Sequence, residues 1–463
     1  MTRALVSLVI PLSLGWYAAG AALPCAASHR LRAVRLFLGV GLGLGLCSYL
    51  FFVALLIRPR GVVSLLAAEV AALAVAVVLA RAAARRSSNT RQPSIRPGPA
   101  FLLREPVWVV CGLTLLVAIG VMAIAWIRRP HGGADAWIQW NMRARFLFRG
   151  GERWTDLFSV SPLLHPDYPL LLPGLVARAW TYGGRESTVE PALLSALFAL
   201  GTAGLLAAAV ALHRGSRMGA LAGMLLLGTS SFVASGAAQV ADAPLGFYLL
   251  ATLVLVSLSR VPDAGPGALV LAGMTAALAA WTKNEGILFV LVIGAVLVVG
   301  STIRGERPPF SHGVLPFWLG ALPGLVVVLV FKVVLAPRND VVSARNLPLM
   351  VERMVDFERY AQVLAAVGRE AIGFGRGAPV VLLLFALLLG RDRGVASASA
   401  GMLALAVVGL MAAGYGAIYI VTPHDLRWHL ATSLERLLLQ LWPSLIFAVF
   451  MLVRAPVATP AEG

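Results

Sequence analysis

Residues 267–299, GALVLAGMTAALAAWTKNEGILFVLVIGAVLVV, contain two apolar runs separated by the short polar segment TKNEG. Both runs are apolar enough for helices in lipid, although each is shorter than the roughly twenty residues of a full span. TKNEG contains Lys283, and the chain has only one other lysine, Lys332. Because a charged side chain is costly in hydrocarbon, charges in such a place usually mark a functional site. The simpler alternative is a local ion pair between Lys283 and Glu285 that eases their burial.

The composition of the whole chain agrees with helices in lipid. Of its 463 residues, 59% are hydrophobic and 13% are charged, whereas globular proteins are about a quarter charged. The mean hydropathy is +0.85. We therefore expect an all-α polytopic protein of the cell membrane. The net charge of +17 comes from arginines in the connections, which set topology and attract membrane lipids, so no nucleic-acid partner is implied.

The apolar segments predict a bundle of about thirteen transmembrane helices. The first segment resembles a signal peptide, but it is long for one, so we expect it to be retained as a helix. The three cysteines lie in apolar runs without metal-type spacing, which predicts neither a disulfide framework nor a zinc site. The predicted helices are 4–27, 33–57, 62–80, 106–127, 191–212, 218–233, 244–258, 267–281, 287–299, 314–335, 378–389, 395–421 and 437–453.

Arginine in the connections predicts the orientation of the bundle. The segment 81–104 is basic and almost free of acids, so the positive-inside rule places it in the cytoplasm. Counting helices from there places the connections 128–190 and 422–436 on the exoplasmic face, together with TKNEG. Most of the unusual polar residues gather on that face, which we expect to carry the active site. The predicted units are N-terminal helices with the basic loop (1–104), a core that contains the exoplasmic connection 128–190 (105–336), an exoplasmic loop (337–377) and C-terminal helices with the polar connection 422–436 (378–463).

The first exoplasmic connection begins with GGADAWIQWNMRARFLFRGGERW, residues 132–154, in which Asp135 stands at the membrane exit. At helical spacing one side of this segment is aromatic and the other is basic, which predicts a helix lying in the membrane interface. Asp135 is either a functional carboxylate or an ordinary N-cap. The aromatic side consists of Trp137, Trp140 and Phe148, and the basic side of Arg143, Arg145 and Arg149.

Two polar groups follow at later turns. His165, Asp167 and Tyr168 lie among prolines in SPLLHPDYP, so they occupy a held, non-helical turn. This turn either binds a ligand such as a divalent metal or is a structured entry to the next apolar segment. Asp242 heads the apolar run 244–258, with Pro244 at an early helical position. A helix N-cap is again the simpler alternative to a functional carboxylate.

The connection between the last two predicted spans is unusually polar. HDLRWHLATSLER, residues 424–436, carries eight polar side chains in thirteen residues, which is more than a passive turn requires. Arg427, His429 and Arg436 are the candidate binding residues, and an interfacial helix is the simpler alternative. The chain has no Gly-rich phosphate loop, HExxH or G-x-S-x-G motif, so ATP-driven or hydrolytic machinery is not expected.

The order of these motifs resembles that of the bacterial polytopic C-type (GT-C) glycosyltransferases. These are relatives of protein O-mannosyltransferases and aminoarabinose transferases, and they use polyprenyl-phosphate sugars. ADAW at 134–137 resembles the family's early loop with a catalytic acid. HPDYPLLLPGLVARAWTYGG at 165–184 resembles its His-Pro element with a following helix and glycine turn. ADAPLGFYLL at 241–250 and the lysine of TKNEG resemble later elements of the same families.

The resemblance covers about 134–285 and implies a GT-C-like bundle with interfacial helices in its first large exoplasmic loop. It implies sugar transfer from a polyprenyl-phosphate donor to an acceptor hydroxyl, with inversion at the anomeric carbon. It nominates Asp135 as the base that takes the acceptor proton. The acceptor (glycolipid, polysaccharide or protein), the sugar and any use of a divalent metal stay open. The candidate substrate-binding residues are Arg143, Arg145, His165, Asp167, Tyr168, Asp242, Lys283, Glu285, Arg427, His429 and Arg436.

Within that interpretation, the leaving lipid phosphate needs cations where its charge develops. Lys283 is expected to meet it, with Glu285 or Asp242 orienting the ammonium group, and arginines are expected to help because their forked donors match phosphate.

Two other classes of protein remain open. A transporter or flippase of lipid-linked sugars places charges near the midplane, on broken helices within inverted repeats. The charges here are predicted at one surface and no repeat is visible, but Glu69, inside the third predicted span, fits a transporter better. A non-catalytic scaffold subunit is the third class, and it predicts that loss of Asp135 leaves activity unchanged.

Overall fold

The protein is helical throughout the part that its computed structural model describes, which is residues 2–23, 29–57, 61–86, 106–159, 165–260, 267–303, 314–339, 346–392 and 394–455. These residues contain no β-strand, and a single isolated bridge joins Arg391 to Val453. The expected all-α architecture is therefore confirmed. The basic segment 81–104, which the sequence assigns to the cytoplasm, lies outside the described residues from position 87 onward.

Eighteen α-helices run through the described residues. They are α1 Thr2–Ala22, α2 His29–Ile57, α3 Val62–Arg86, α4 Pro106–Arg128, α5 Asn141–Arg149, α6 Leu171–Gly183, α7 Val189–Arg214, α8 Ser216–Gly228, α9 Ser230–Ala237, α10 Asp242–Leu258, α11 Gly267–Thr282, α12 Asn284–Ile303, α13 Leu315–Val330, α14 Leu347–Met354, α15 Phe357–Gly373, α16 Ala378–Leu389, α17 Val395–Val421 and α18 Leu426–Leu452. Short π-helical or 3₁₀ turns adjoin α5, α13 and α15.

Many of these helices have the length and composition of membrane spans. Within the described ranges, eight helices are long and apolar enough to cross a bilayer, or up to ten if each of two bent helix pairs is one span. Shorter apolar helices are α10, α11 and the Ser7–Ala22 part of α1. Within the described residues, twelve of the thirteen predicted apolar segments each overlap one α-helix, and the segment 218–233 overlaps two, α8 and α9. The number of helices that cross the membrane stays a prediction.

The predicted helix 218–233 is broken. α8 and α9 meet at an angle of 68°, because Thr229 between them has an extended backbone (ψ 107°). The Thr229 hydroxyl donates to the Leu225 carbonyl at 2.8 Å and accepts from the indole Nε1 of Trp442 at 2.9 Å. A side chain that bonds both its own helix and a distant tryptophan holds this bend in place.

The short helices α10 and α11 form the centre of the bundle. Every residue of α10 is buried, as is nearly all of α11. A helix that is apolar on all sides is stable where other helices surround it, and α10 packs against α7, α11 and α18. Because these central helices are short, their ends stop inside the protein, and two charged residues lie there. They are Asp242, which begins α10, and Lys283, which follows α11.

The connection 128–190 contains a buried helix, α6, in addition to the predicted interfacial segment. Arg178 on α6 donates from Nε and Nη2 to the two carboxylate oxygens of Glu69 on α3, both at 2.6 Å. The Tyr182 hydroxyl adds a bond to Glu69 at 2.9 Å. Such a bidentate pair satisfies a buried carboxylate. Glu69, the residue that best fits a transporter, is thus fully paired in this structure.

The predicted exoplasmic loop 337–377 contains the helices α14 and α15. α15 carries an apolar stripe, and its buried residues Val363 and Ala366 pack against α17 and α18. The Arg359 guanidinium donates to the carbonyls of Tyr419 and Ile420 at 3.0 and 2.8 Å. These bonds cap the C-terminal end of α17, so the loop is docked on the bundle by both apolar and polar contacts.

The predicted orientation has a direct test by cysteine labelling. In a background in which Cys25, Cys47 and Cys111 are replaced, we expect Arg153→Cys to react with an impermeant thiol reagent in intact cells, because Arg153 lies in the predicted exoplasmic connection. We expect Ser216→Cys, at the first residue of α8 in the basic segment HRGSR (213–217), to react only after permeabilisation. Labelling of Ser216→Cys from outside would reverse the orientation.

Candidate functional site

Polar side chains from six separate parts of the chain meet at one end of the bundle. They come from the connection after α4, the turn before α6, the start of α10, the α11–α12 junction, the end of α13 and the first turns of α18. Several of them were predicted to share the exoplasmic face, and hydrogen bonds now join them. Within the described residues this cluster contains four carboxylates and four cations: Asp135, Asp167, Asp242 and Glu285, with Arg143, Lys283, Lys332 and Arg436.

Asp242 is the central carboxylate of the cluster and is 1% exposed. Its Oδ1 accepts from Lys283 Nζ at 3.0 Å and from Gln440 Nε2 at 2.7 Å. Its Oδ2 accepts from Arg436 Nε at 3.0 Å. The N-cap of α10 is Ala241, so capping is not the role of Asp242. The carboxylate instead joins α10 to the α11–α12 junction and to α18.

Lys283 occupies the junction between α11 and α12 and is almost completely buried. Its Nζ lies 3.0 Å from Asp242 and 2.7 Å from Glu285, so it bridges two carboxylates rather than one. The junction is tight because Gly286 approaches the Ala279 carbonyl so closely that a Cβ would lie 1.9 Å from the oxygen. Only glycine fits there, and this fit aims Lys283 into the bundle.

Asp135 and Arg436 form the accessible pair of the cluster. Asp135 stands at the N-cap of the π-helical turn Ala136–Trp140 but makes no side-chain capping bond. Its carboxylate accepts from Arg436 Nη1 instead. The side chains of Asp135 and Arg436 are 37% and 36% exposed, in contrast to 1% for Asp242 and 4% for Lys283. Arg436 therefore links an open carboxylate to a buried one.

A second group surrounds Asp167, in the turn before α6. Its Oδ2 accepts from the amides of Asn284 at 2.7 Å and Asn339 at 2.8 Å. Lys332 donates to the Asp167 carbonyl at 2.5 Å and to Asn284 Oδ1 at 2.6 Å, and its side chain is 24% exposed. Both lysines of the chain thus belong to one cluster. Sequence reasoning missed Lys332, Asn339 and Gln440, although the scarcity of lysine was a usable signal for Lys332.

Arg143 adjoins this second group through Tyr168. It was predicted on the basic side of an interfacial helix, and that prediction is wrong because the side chain is buried. The side chain is fully buried and donates from Nη2 to the Tyr168 carbonyl, while Nε and Nη1 have no partner among the described residues. Burial lowers the pKa of Arg143 to about 10, against the opposing effect of Asp167. α5 packs on α6 rather than lying free in the interface, and helical spacing alone does not report such a second partner.

An aromatic stack lies beside Lys283. The Tyr168 ring stacks on Trp140 at 5.9 Å and on His165 at 5.2 Å between centroids, and Lys283 Nζ lies 5.7 Å from the centre of the Tyr168 ring. Burial raises the pKa of Tyr168 well above its ordinary value, so the phenol stays neutral. His165 has a positive φ of 39°, an uncommon conformation for this residue type that is held at the edge of the site.

Three predicted site residues lie away from the cluster. Arg145 pairs with Glu186 at 3.3 Å, in the connection between α6 and α7. The ring of His429 lies 3.0 Å from the Thr422 hydroxyl and packs against Tyr419. Arg427 is exposed on the first turn of α18. The structure therefore brings together Asp135, Arg143, His165, Asp167, Tyr168, Asp242, Lys283, Glu285 and Arg436, but not these three.

A metal centre built from at least three protein ligands is not seen in the described residues. No group of three or more His, Cys, Asp or Glu side chains lies close enough there to hold an ion. His165 stacks on Tyr168, and Asp167 is engaged by two amides.

Searches with the chain found no matching family model, no matching curated protein and no matching solved structure. The resemblance to GT-C glycosyltransferases accordingly rests on the order of the motifs.

The arrangement can perform two chemical tasks. An exposed carboxylate can accept a proton, provided that a substrate brings a hydroxyl within hydrogen-bond reach. A partly exposed cation beside it can stabilise an anionic leaving group. Asp135 supplies the first and Arg436 the second, and Lys332 is a further partly exposed cation in the group around Asp167. The buried Asp242–Lys283 pair behind them fixes Arg436 at its Nε.

Proposed function

We propose that the protein is an integral-membrane glycosyltransferase that transfers a sugar from a polyprenyl-phosphate carrier to an acceptor hydroxyl. The observation that carries the proposal is the accessible Asp135–Arg436 pair at the polar end of a bundle of apolar helices. A proton acceptor and a phosphate-binding cation lie side by side there. The donor's polyprenyl chain is apolar and would lie in the lipid, so its phosphate would lie at the membrane surface, at the level of such a polar end.

In the proposed reaction, the acceptor hydroxyl gives its proton to the Asp135 carboxylate as its oxygen attacks the anomeric carbon. The new carbon–oxygen bond forms while the bond from that carbon to the phosphate oxygen breaks. The electron pair leaves with the phosphate, whose charge is stabilised by cations already in position. Attack opposite the leaving group inverts the anomeric carbon.

Arg436 has the central role in this scheme. In the free protein its Nη1 holds Asp135 and its Nε holds Asp242. The donor phosphate replaces Asp135 as the partner of Nη1, and this exchange frees the carboxylate to act as a base. Asp242 keeps the guanidinium in place throughout, because it is buried and holds the opposite edge.

The two lysines take different roles in the proposal. Lys332 is partly exposed and bonds only neutral oxygens at close range, so its charge is available to the phosphate. Lys283, at 4% exposure between two carboxylates, is placed to support Asp242 rather than to meet the donor first. This revises the sequence-based expectation that Lys283 itself contacts the phosphate.

The test is to supply the purified protein in lipid nanodiscs with radiolabelled polyprenyl-phosphate sugars and membrane extract. We expect label to move from the carrier to a larger molecule, with release of unlabelled polyprenyl phosphate. Heat-treated protein is the control for transfer by contaminants in the extract. In a second preparation the protein is reconstituted in sealed vesicles. Movement of labelled donor across that bilayer without any transfer would instead favour the transporter class.

A further inference from the structure

A half-open cavity of about 230 Å³ lies beside the charged cluster and is not part of it. Its wall is built from the connection after α4, the α6–α7 connection and the bend before α10. Arg145, which the cluster leaves out, lines it together with Glu186, Trp180 and Thr188. No role in the proposed reaction uses these residues.

The wall of the cavity contains both hydrogen-bond donors and hydrogen-bond acceptors. Arg145 and Glu186 lie 3.3 Å apart in the wall, and Arg149, which is not in the wall, also donates to both oxygens of Glu186. The Arg145 guanidinium lies 5.9 Å from the centre of the Trp180 ring. Asn141 and Gln239 add side-chain amides, joined by a hydrogen bond of 2.9 Å. The hydroxyls of Ser187 and Thr188 complete a surface that both donates and accepts.

The amide bridge is held at a conformational cost. Gln239 has a positive φ of 60°, which a side chain with a Cβ rarely adopts. Its Nε2 donates to the Pro130 carbonyl at 3.1 Å while its Oε1 accepts from Asn141. Residues kept in such conformations cluster at functional sites, and the two bonds of Gln239 hold Pro130 and Asn141 in the lining of the cavity.

The cavity also adjoins the segment that carries the proposed base. Asn141 lines the cavity and begins α5, directly after the π-helical turn for which Asp135 is the N-cap. A ligand in the cavity therefore lies against the helical segment that positions Asp135. The cavity and the proposed base thus adjoin the same short segment of chain.

We propose that this cavity binds one neutral sugar unit, and that the unit belongs to the acceptor. A ring of hydroxyls matches amides, hydroxyls and a carboxylate, because each hydroxyl both donates and accepts. A phosphate would have to compete with Glu186 for Arg145 and Arg149, which both donate to that carboxylate. A lipid chain would meet charged and amide groups that it cannot hydrogen-bond. The volume is below the roughly 300–1,000 Å³ of pockets for drug-sized ligands. Sugar binding stands by itself, while its assignment to the acceptor rests on the proposed glycosyltransferase function.

The test fills the cavity with one side chain. Thr188 lines the cavity and makes no capping bond to α7, so Thr188→Phe removes space without removing a hydrogen bond. Val189→Phe adds the same ring at the next, exposed position and is the matched control. The full-length protein in lipid nanodiscs, free of sugar-based detergent, is offered a panel of methyl hexosides and methyl pentosides. Binding is measured by saturation-transfer NMR.

We expect at least one glycoside to give a signal with the wild-type protein and with Val189→Phe, and this signal to be lost in Thr188→Phe. An absent wild-type signal, or an unchanged signal in Thr188→Phe, would overturn the proposal. Transfer assays on the same samples separate the two hypotheses. Binding without any transfer refutes the proposed function and leaves the sugar site standing, whereas full transfer by Thr188→Phe removes the acceptor assignment.

Discussion

Asp135→Asn is expected to lower sugar transfer by about 10²–10⁴-fold, the usual contribution of general-base catalysis, and to leave the protein folded. The amide keeps the size of the side chain and can still accept a hydrogen bond from Arg436, but it cannot take a proton. Stability should change little, because the Asp135–Arg436 pair is more than one-third exposed and such pairs contribute little. The measurements are the initial rate of transfer and the melting temperature.

Asp156→Asn is the matched control for this variant. Asp156 lies in the same connection and pairs with an arginine, Arg153, at 2.7 Å, but it is outside the charged cluster. We expect its transfer rate to equal that of the wild-type protein. Near-normal transfer by Asp135→Asn would exclude the proposed base and would agree with the scaffold alternative.

The donor exchange at Arg436 adds a second measurable consequence. If the phosphate replaces Asp135 at Nη1, Asp135→Asn removes a competitor for the guanidinium. The variant should then bind the donor at least as tightly as the wild-type protein, although it turns over slowly. A catalytic defect with intact donor binding separates loss of the base from general damage to the site.

The sequence predicted the class of fold and the position of most helices, because apolar runs report directly on burial in lipid. It also predicted that Asp135, Asp242 and TKNEG share one face, since alternating spans place their connections on alternate sides. It left open whether each aspartate was a helix cap. The structure decides these cases: the carboxylates of Asp135 and Asp242 bond side chains of α18 and the α11–α12 junction.

What the sequence did not predict depends on partners far apart in the chain. Glu69 and Arg178 are 109 residues apart, and neither position carries a local sign of the other. Arg143 resembles an exposed arginine at helical spacing, but a second surface covers it. Lys332 in FKVVL resembles a lysine that snorkels from the end of a span, and only packing brings it to Asp167. Hydrophobic periodicity predicts which face of a helix is buried, but it does not identify the residue that will pair with a charged side chain on that helix.

The second large expected effect is on stability, and it is tested by making the same substitution, lysine to methionine, at each of the two lysines. Lys283→Met deletes a cation that is 4% exposed and leaves Glu285 without its counter-ion. Breaking a buried pair from one side destabilises a protein by on the order of 3–5 kcal/mol. We therefore expect a clear fall in the melting temperature of Lys283→Met. Asp242 keeps Arg436 and Gln440 as partners, so the variant should still fold at low temperature.

Lys332→Met makes the same chemical change at a half-buried position. Lys332 bonds a carbonyl and an amide oxygen, and the nearest carboxylate oxygen lies 3.7 Å away. Asp167 retains two amide donors without it, so the melting temperature should fall much less than in Lys283→Met. The affinity for the donor should fall instead, because the substitution removes the partly exposed ammonium group that is proposed to bind the phosphate.

The double variant Lys283→Met/Glu285→Gln completes the comparison. Removing the stranded carboxylate should restore part of the lost stability, and transfer should recover with it if Lys283 acts through Asp242 and Arg436. The readouts are melting temperature and donor affinity in all three variants. A stable Lys283→Met that has lost donor binding, beside a destabilised Lys332→Met with normal donor binding, would assign the phosphate contact to Lys283. That result would reverse the roles of the two lysines: Lys283 would contact the phosphate, and Lys332 would be the residue that stabilises the fold.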